Sequence, residues 1–154
     1  MLLSFPSLTL TINNLGMIEY RVKQFSDSDR DIFISYLNRV EAWKIRCKNL
    51  HWAAEHKDIH EYLDDLYEDL ISYQDKIAET FMGVLGSMRP LDINPEFCDK
   101  SEPIELLEDI INKTAVEFYH DIPEDVVFKG ITSEVESMLQ KLENYKYLFN
   151  LCKQ

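Results

Sequence analysis

The chain has 154 residues, 45% of them hydrophobic, and a formal net charge of −12. This length predicts a single domain that buries its own core, and the composition is ordinary for a folded protein. The excess of acidic residues attracts cations and disfavours direct DNA binding, and no apolar run is long enough to cross a membrane. The three widely spaced cysteines exclude a disulfide framework and a zinc-finger pattern, and they favour a reducing compartment, the cytoplasm.

The chain begins with a segment that differs from the rest. Residues Ser7–Ile12 alternate in polarity, which predicts a short strand, with a disordered tail as the alternative. The first basic residue is Arg21, so the segment lacks the basic start of a secretory signal. We therefore divide the chain into an N-terminal arm, residues 1–24, and a helical domain, residues 25–154.

Two long segments with helical spacing of apolar residues open the helical domain. The first is predicted over about Ser28–Trp52, with cap-type residues at Ser26–Asp29. The second is predicted over about Asp58–Leu85, and it stops at Gly86 because Pro90 prevents its continuation.

Two shorter helices follow a connection over residues 86–101, which is predicted to contain a helical turn near Pro95–Cys98. The third helix begins with Ser101 as its cap and ends by Pro123. The fourth begins near Ser133, which would form a capping box with a glutamate three residues later. The fold class is therefore predicted to be all-α, as an antiparallel four-helix bundle.

The polar residues of the second predicted helix point to chemistry. His60, Asp64, Asp75 and Glu79 are separated by four, eleven and four positions. At roughly 100° per residue they share a stripe about 100° wide that points away from the apolar seam. Such a stripe is usually a solvated face, but the same face also carries the apolar residues Tyr67, Ile71, Ala78 and Met82. A purely solvated face would not need them, which favours an interface.

These four polar residues are symmetric about the midpoint between Asp69 and Leu70. If two copies of the helix pair antiparallel about that point, Asp64 faces the partner subunit's Asp75. His60 likewise faces the partner subunit's Glu79, which gives two identical clusters of one histidine and three carboxylates. Imidazole and carboxylate together suit iron, manganese or zinc, and several carboxylates stabilise iron(III) electrostatically.

The same positions resemble the Dps family, the mini-ferritins of the ferritin-like superfamily. Lys48–Trp52 is similar to the K-N-x-H-W sequence at the end of the family's first helix. His60 and Asp64 resemble its second ligand pair, and Asp75–Glu79 resembles its D-x-I-A-E segment. Leu85–Pro90 resembles the Leu-Gly turn that follows. The last two helices match the family by pattern only.

The resemblance implies a function and a ligand set. It implies a homo-oligomer with two-fold interfaces, a dodecamer, that oxidises iron(II) with hydrogen peroxide or oxygen, stores iron(III) and protects against oxidative stress. The number of irons at each site stays open. The first subunit would supply three ligands, His51, His60 and Asp64. Its two-fold partner would supply the other two, Asp75 and Glu79. Trp52 would lie near the metal, with an aromatic side chain that closes the end of the helix as the alternative. By position, an acidic pore would be lined by Asp121, Glu124 and Asp125, with a solvated acidic loop as the alternative.

Two features depart from the family. The interval between His51 and His60 is three residues shorter than usual, although the deletion falls in a loop, where it is tolerated. The Lys-rich tail of DNA-binding members is absent. The N-terminal arm and the shortened loop favour the alternative, a non-enzymatic structural or assembly protein on the same scaffold. A DNA-compacting protein is disfavoured by charge. Of the other residues, His56 is interpreted as solvated and the cysteines as small buried apolar residues.

Overall fold

A computed structural model describes residues 5–12, 18–85 and 90–153, and all its long elements after Asp27 are helices. This confirms the all-α prediction for the domain. None of the helices in these ranges combines the length and the apolar content that a membrane crossing requires. Two strands come first, β1 (Phe5–Ile12) and β2 (Ile18–Phe25). Two long helices follow, α1 (Asp27–Ala53) and α2 (Lys57–Leu85). The rest of the chain forms α3 (Pro103–Asn112), a π-helical segment (Lys113–Phe118), α4 (Tyr119–Asp121), a 3-10 turn (Val126–Phe128) and α5 (Lys129–Leu151).

The N-terminal arm contains a two-stranded antiparallel sheet. Phe5 lies opposite Phe25, and Ile12 lies opposite Ile18. The polarity alternation predicted the first strand, which begins two residues earlier than expected. The second strand was not predicted, although its sequence also alternates apolar and charged residues. The Leu-Gly turn after α2 lies outside the described residues.

Helix α1 begins where its sequence predicts. Ser26 Oγ accepts a hydrogen bond from the Asp29 N–H at 3.2 Å, and the Asp29 carboxylate accepts one from the Ser26 N–H at 3.3 Å. This reciprocal pair satisfies two backbone donors that the first turn of a helix would otherwise leave free. A cap is worth about 0.5–2 kcal/mol of stability.

The start of α5 differs from the prediction. The helix begins at Lys129, so Ser133 lies inside it and the predicted capping box is wrong. The Asp125 carboxylate accepts a hydrogen bond from the Val127 N–H at 3.1 Å and so begins a 3-10 turn. That turn sets the helical conformation one turn earlier than the sequence pattern indicated.

The long helices pack in a closed ring, in the order α1, α2, α5, α3. Tyr36 on α1 hydrogen-bonds Tyr73 on α2 at 2.8 Å, and the other ends of the two helices meet at His51 and His60. Residue numbers increase along α1 while those of the contacting residues on α2 decrease, so the two helices are antiparallel. Tyr145 donates to Asp69 at 2.6 Å, while Lys76 lies 3.7 Å from Glu134, so α2 and α5 are antiparallel as well.

Helix α3 also runs antiparallel to α1. Trp43 Nε1 donates to Asp109 Oδ2 at 2.9 Å, and further back along α1 the Tyr36 hydroxyl lies 2.8 Å from Thr114 Oγ1. Helices α1 and α5 therefore point one way, and α2 and α3 point the other way. Two consecutive helices can share a direction only if the chain between them travels the length of the molecule.

Residues 90–102 make that crossing along the outside of α1. The Asn94 N–H donates to Asn38 Oδ1 at 2.8 Å, and the Arg46 guanidinium lies 5.6 Å from the centre of the Phe97 ring. The segment has no helical turn, so the prediction of one near Pro95–Cys98 is wrong. Side-chain contacts with α1 hold it in an extended path instead.

Candidate metal centre

The two predicted histidine ligands meet where α1 ends and α2 begins. Only residues 54–56 separate the helices, yet the rings of His51 and His60 stack with their centroids 3.8 Å apart. His51 Nδ1 lies 2.7 Å from the His60 carbonyl oxygen, and His60 Nδ1 lies 2.8 Å from the His51 carbonyl oxygen. The short loop therefore brings the two residues together rather than displacing His51.

This reciprocal hydrogen bonding decides where each ring carries its proton. A carbonyl oxygen can only accept, so both Nδ1 atoms must donate. In the neutral rings the lone pairs are then on Nε2, which is the arrangement found in metal-binding histidines whose other nitrogen is held by a backbone carbonyl. His60 is exposed, whereas His51 is 9% exposed and is held firmly by its surroundings.

Asp64 lies one helical turn after His60 and approaches the other histidine. Its Oδ1 is 3.9 Å from His51 Nε2, a separation that two ligands of one ion can span when each bond is about 2.0–2.2 Å. The Lys48 ammonium lies 3.3 Å from the same oxygen and 4.6 Å from the centre of the Tyr67 ring. Lys48 therefore neutralises the Asp64 carboxylate when no other cation is near.

The second half of the predicted ligand set lies elsewhere on the same helix. Asp75 and Glu79 are exposed, and within the described parts of the chain their side chains have no hydrogen-bond or ion-pair partner. Asp75 is fifteen residues beyond His60, which is roughly 22 Å along a helix. The chain thus brings His51 close to His60 and to Asp64, and it leaves Asp75 and Glu79 on a distant surface.

At the centre of the helical ring, the described residues offer no alternative metal site. Among the described residues, the buried side chains outside the hydrophobic set are those of His51 and Thr114, and no carboxylate is among them. The middle of the ring holds a hydroxyl chain in which Tyr36 bonds both Tyr73 and Thr114 at 2.8 Å. Burial raises the pKa of the Tyr36 hydroxyl, which keeps it a neutral hydrogen-bonding group.

The surface around the histidines is partly apolar. Trp52 is 70% exposed, so it does not close the end of α1 against the core. On the face of α2 that was expected to form an interface, Tyr67, Ala78 and Met82 pack partly against the core of their own chain. Ile71 is half-buried. The apolar argument for an interface therefore depends on Trp52 and Ile71 rather than on the whole set.

The acidic residues between α3 and α5 are spread along a turn. Asp121 and Glu124 are exposed, and Asp125 caps the 3-10 turn through its hydrogen bond to Val127. Asp121 Oδ1 lies 3.9 Å from His120 Nδ1. Asp125 thus has a local structural role, and Asp121 and Glu124 are free to contribute charge to a surface.

A second group of metal-type ligands was missed in the sequence. In the described portion of the chain, one group of three has all its ligand atoms within 4.8 Å of one another, and it consists of His56, Asp58 and Cys152. The interpretation of the cysteines was right for the buried Cys47 and wrong for Cys98 and Cys152, which are only partly buried. Cys152 is far from the other two residues along the chain, so no spacing pattern in the sequence could predict this group.

Comparison with protein families, curated proteins and solved structures finds no match for this chain. Its class must therefore be argued from its own residues and their geometry.

Proposed function

We propose that this protein is a Dps-like mini-ferritin subunit that binds iron(II) as substrate and oxidises it at a site completed by a second copy. One observation carries the proposal. His51 and His60 hold each other through their backbone carbonyls, and His51 Nε2 lies 3.9 Å from Asp64 Oδ1. Metal-binding histidines usually donate their other ring nitrogen to a carbonyl or carboxylate, and both histidines here do so.

The path of the chain supports the ferritin-like class. Simple four-helix bundles alternate in direction and need only short loops, whereas ferritin-like bundles contain one long crossover. Here α2 and α3 share a direction, and residues 90–102 cross along α1 between them. The absence of buried carboxylates among the described residues argues against a site inside one bundle. The Dps type, with ligands on the outer surface, fits better.

The need for a second copy follows from distance. Asp75 and Glu79 are too far from His60 to bind the same ion within one chain. Antiparallel pairing of two α2 helices about the Asp69–Leu70 midpoint would bring them to the partner's histidines. This contact is isologous, so it forms two sites at once. Trp52, exposed beside His51, would be covered at such an interface.

The residues of the site have distinct roles in the proposed chemistry. The Nε2 atoms of the histidines suit iron(II), and the carboxylates supply negative charge that favours iron(III) over iron(II). Hydrogen peroxide accepts two electrons, one from each of two iron(II) ions, and leaves as two hydroxide ions. Iron(II) would replace the Lys48 ammonium as the cation nearest Asp64, and its second positive charge would be balanced by the partner subunit's carboxylates.

A kinetic comparison tests this function. Peroxide should oxidise iron(II) faster with the protein than without it, and Asp75→Asn combined with Glu79→Gln should remove the excess rate. The matched control is Asp65→Asn combined with Glu143→Gln, which removes the same charge from exposed acids outside the proposed site. The control should keep the parent rate. Equal rates from both double variants would refute the site assignment.

The pairing of Lys48 with Asp64 favours the alternative, a structural or assembly protein without enzymatic activity. An ammonium group already pairs with the acid, so Asp64 does not need a metal ion to balance its charge. Particles of defined size that give no excess iron oxidation would support that alternative. A shift of plain duplex DNA by metal-free protein at physiological salt would instead indicate a DNA-binding protein, against the charge of the chain.

A further inference from the structure

A second cluster of ligand-type side chains lies at the end of the molecule where α1 joins α2. A ring nitrogen of His56, a carboxylate oxygen of Asp58 and the Cys152 sulfur lie within 4.8 Å of one another. His56 is in the loop after α1, Asp58 is in the first turn of α2, and Cys152 directly follows α5. The cluster therefore joins three parts of the chain, one of which is more than ninety positions away from the other two.

Backbone contacts position each member. The Asp58 N–H donates to His56 Nδ1 at 3.2 Å, so the lone pair of the ring faces the start of α2. A cation bound at this nitrogen would take the place of that hydrogen bond. The His56 carbonyl accepts from the His60 N–H at 3.0 Å, which ties the loop to α2. The Cys152 N–H donates to the Leu148 carbonyl at 3.3 Å, which fixes the cysteine to the last turn of α5.

We propose that His56, Asp58 and Cys152 bind a zinc-class divalent cation that ties the end of α5 to the start of α2. One sulfur, one imidazole nitrogen and one carboxylate oxygen are all ligands that zinc accepts. A tetrahedral ion about 2.0–2.3 Å from each donor holds the donors roughly 3.3–3.8 Å apart. The observed limit of 4.8 Å therefore needs side-chain shifts of about 1 Å, which the exposed His56 and Asp58 can make.

The surroundings leave room for a fourth ligand. His56 and Cys152 line an open depression of about 770 Å³ whose apolar wall includes Leu50, Ile59 and Phe149. Water in this depression can complete the coordination. A mixed sulfur and nitrogen site excludes calcium and magnesium, which prefer oxygen donors. The site thus differs in metal class from the carboxylate-rich iron site proposed above.

Binding at this cluster should release a proton. The thiolate, not the thiol, is the metal ligand, so a cation that binds Cys152 must displace the thiol proton. Affinity should therefore fall as the pH is lowered.

Cobalt(II) titration of the full-length, reduced chain tests the proposal. Cobalt bound to a thiolate gives a charge-transfer absorption that carboxylate and imidazole ligands do not give. We expect this absorption to saturate at one cobalt per chain and to disappear when zinc is added. Cys152→Ser should abolish it, and Cys98→Ser, at the other partly buried cysteine, should leave it unchanged. His56→Ala should weaken cobalt binding by at least about tenfold.

Each outcome decides the proposal. No thiolate absorption from the wild-type chain, its survival in Cys152→Ser, or its loss in Cys98→Ser would overturn it. Circular dichroism of each variant checks that the helices are intact. The Asp75→Asn and Glu79→Gln double variant should keep the absorption, so failure of the iron site does not affect this result.

Discussion

A complementation experiment tests whether the proposed iron site is shared between chains. One variant loses the histidine half through His60→Ala and Asp64→Asn. The other loses the acidic half through Asp75→Asn and Glu79→Gln. Neither variant can build an intact site from its own copies, because every site then lacks one half.

Co-assembly of the two variants should restore activity by a defined amount. In a mixed two-fold pair, one site takes its histidine half from the acid-deficient chain and its acidic half from the histidine-deficient chain, so it is intact. The other site lacks both halves. Random mixing of equal amounts makes about half of the pairs mixed, and half of their sites intact, so about one quarter of the wild-type rate should return.

The assay is peroxide-dependent oxidation of iron(II) by chains that were co-expressed and purified as assembled particles. Mass spectrometry gives the ratio of the two chains, and light scattering gives the particle size. Each variant expressed alone, and the two mixed after separate assembly, serve as controls and should show only the background rate. Background activity from properly co-assembled particles would refute the shared site, and so would substantial activity from either variant alone.

Two further predictions concern stability. Tyr36→Phe removes the hydroxyl that joins two other buried hydroxyls, so it should lower the free energy of unfolding by about 1–3 kcal/mol, measured by urea denaturation. Tyr147→Phe, on a side chain that is 62% exposed, should change it by less than about 0.5 kcal/mol. Hydrogen bonds from Arg39 and Lys113 hold the pKa of the Glu117 carboxyl below its ordinary value. The lowered pKa stabilises the folded state at pH values above the ordinary carboxyl pKa. This stabilisation is lost as the pH falls through the lowered pKa. Glu117→Gln should therefore flatten the loss of stability at acidic pH, by a small amount because the pair is nearly half exposed; an unchanged pH profile would contradict this.

The sequence by itself determined the long helices and the start of α1. Apolar spacing in α1 and α2 reports the core directly, since a helix repeats its faces every three to four residues. The cap formed by Ser26 and Asp29 involves residues only three positions apart, so it too could be predicted from the local sequence. The stripe of His60, Asp64, Asp75 and Glu79 follows from the same repeat. Their separation along one helix already implied that a single chain could not gather them.

Tertiary structure decided what depends on residues far apart in the chain. The crossover along α1 is set by its packing against that helix. The early start of α5 is set by a 3-10 turn that the spacing of apolar residues does not predict. The reciprocal hydrogen bonds between His51 and His60 depend on how closely the end of α1 approaches the start of α2. Cys152 meets His56 and Asp58 because α5 returns to the end of the molecule where α2 begins. Local sequence encodes local conformation, whereas these contacts arise only when the helices pack against one another.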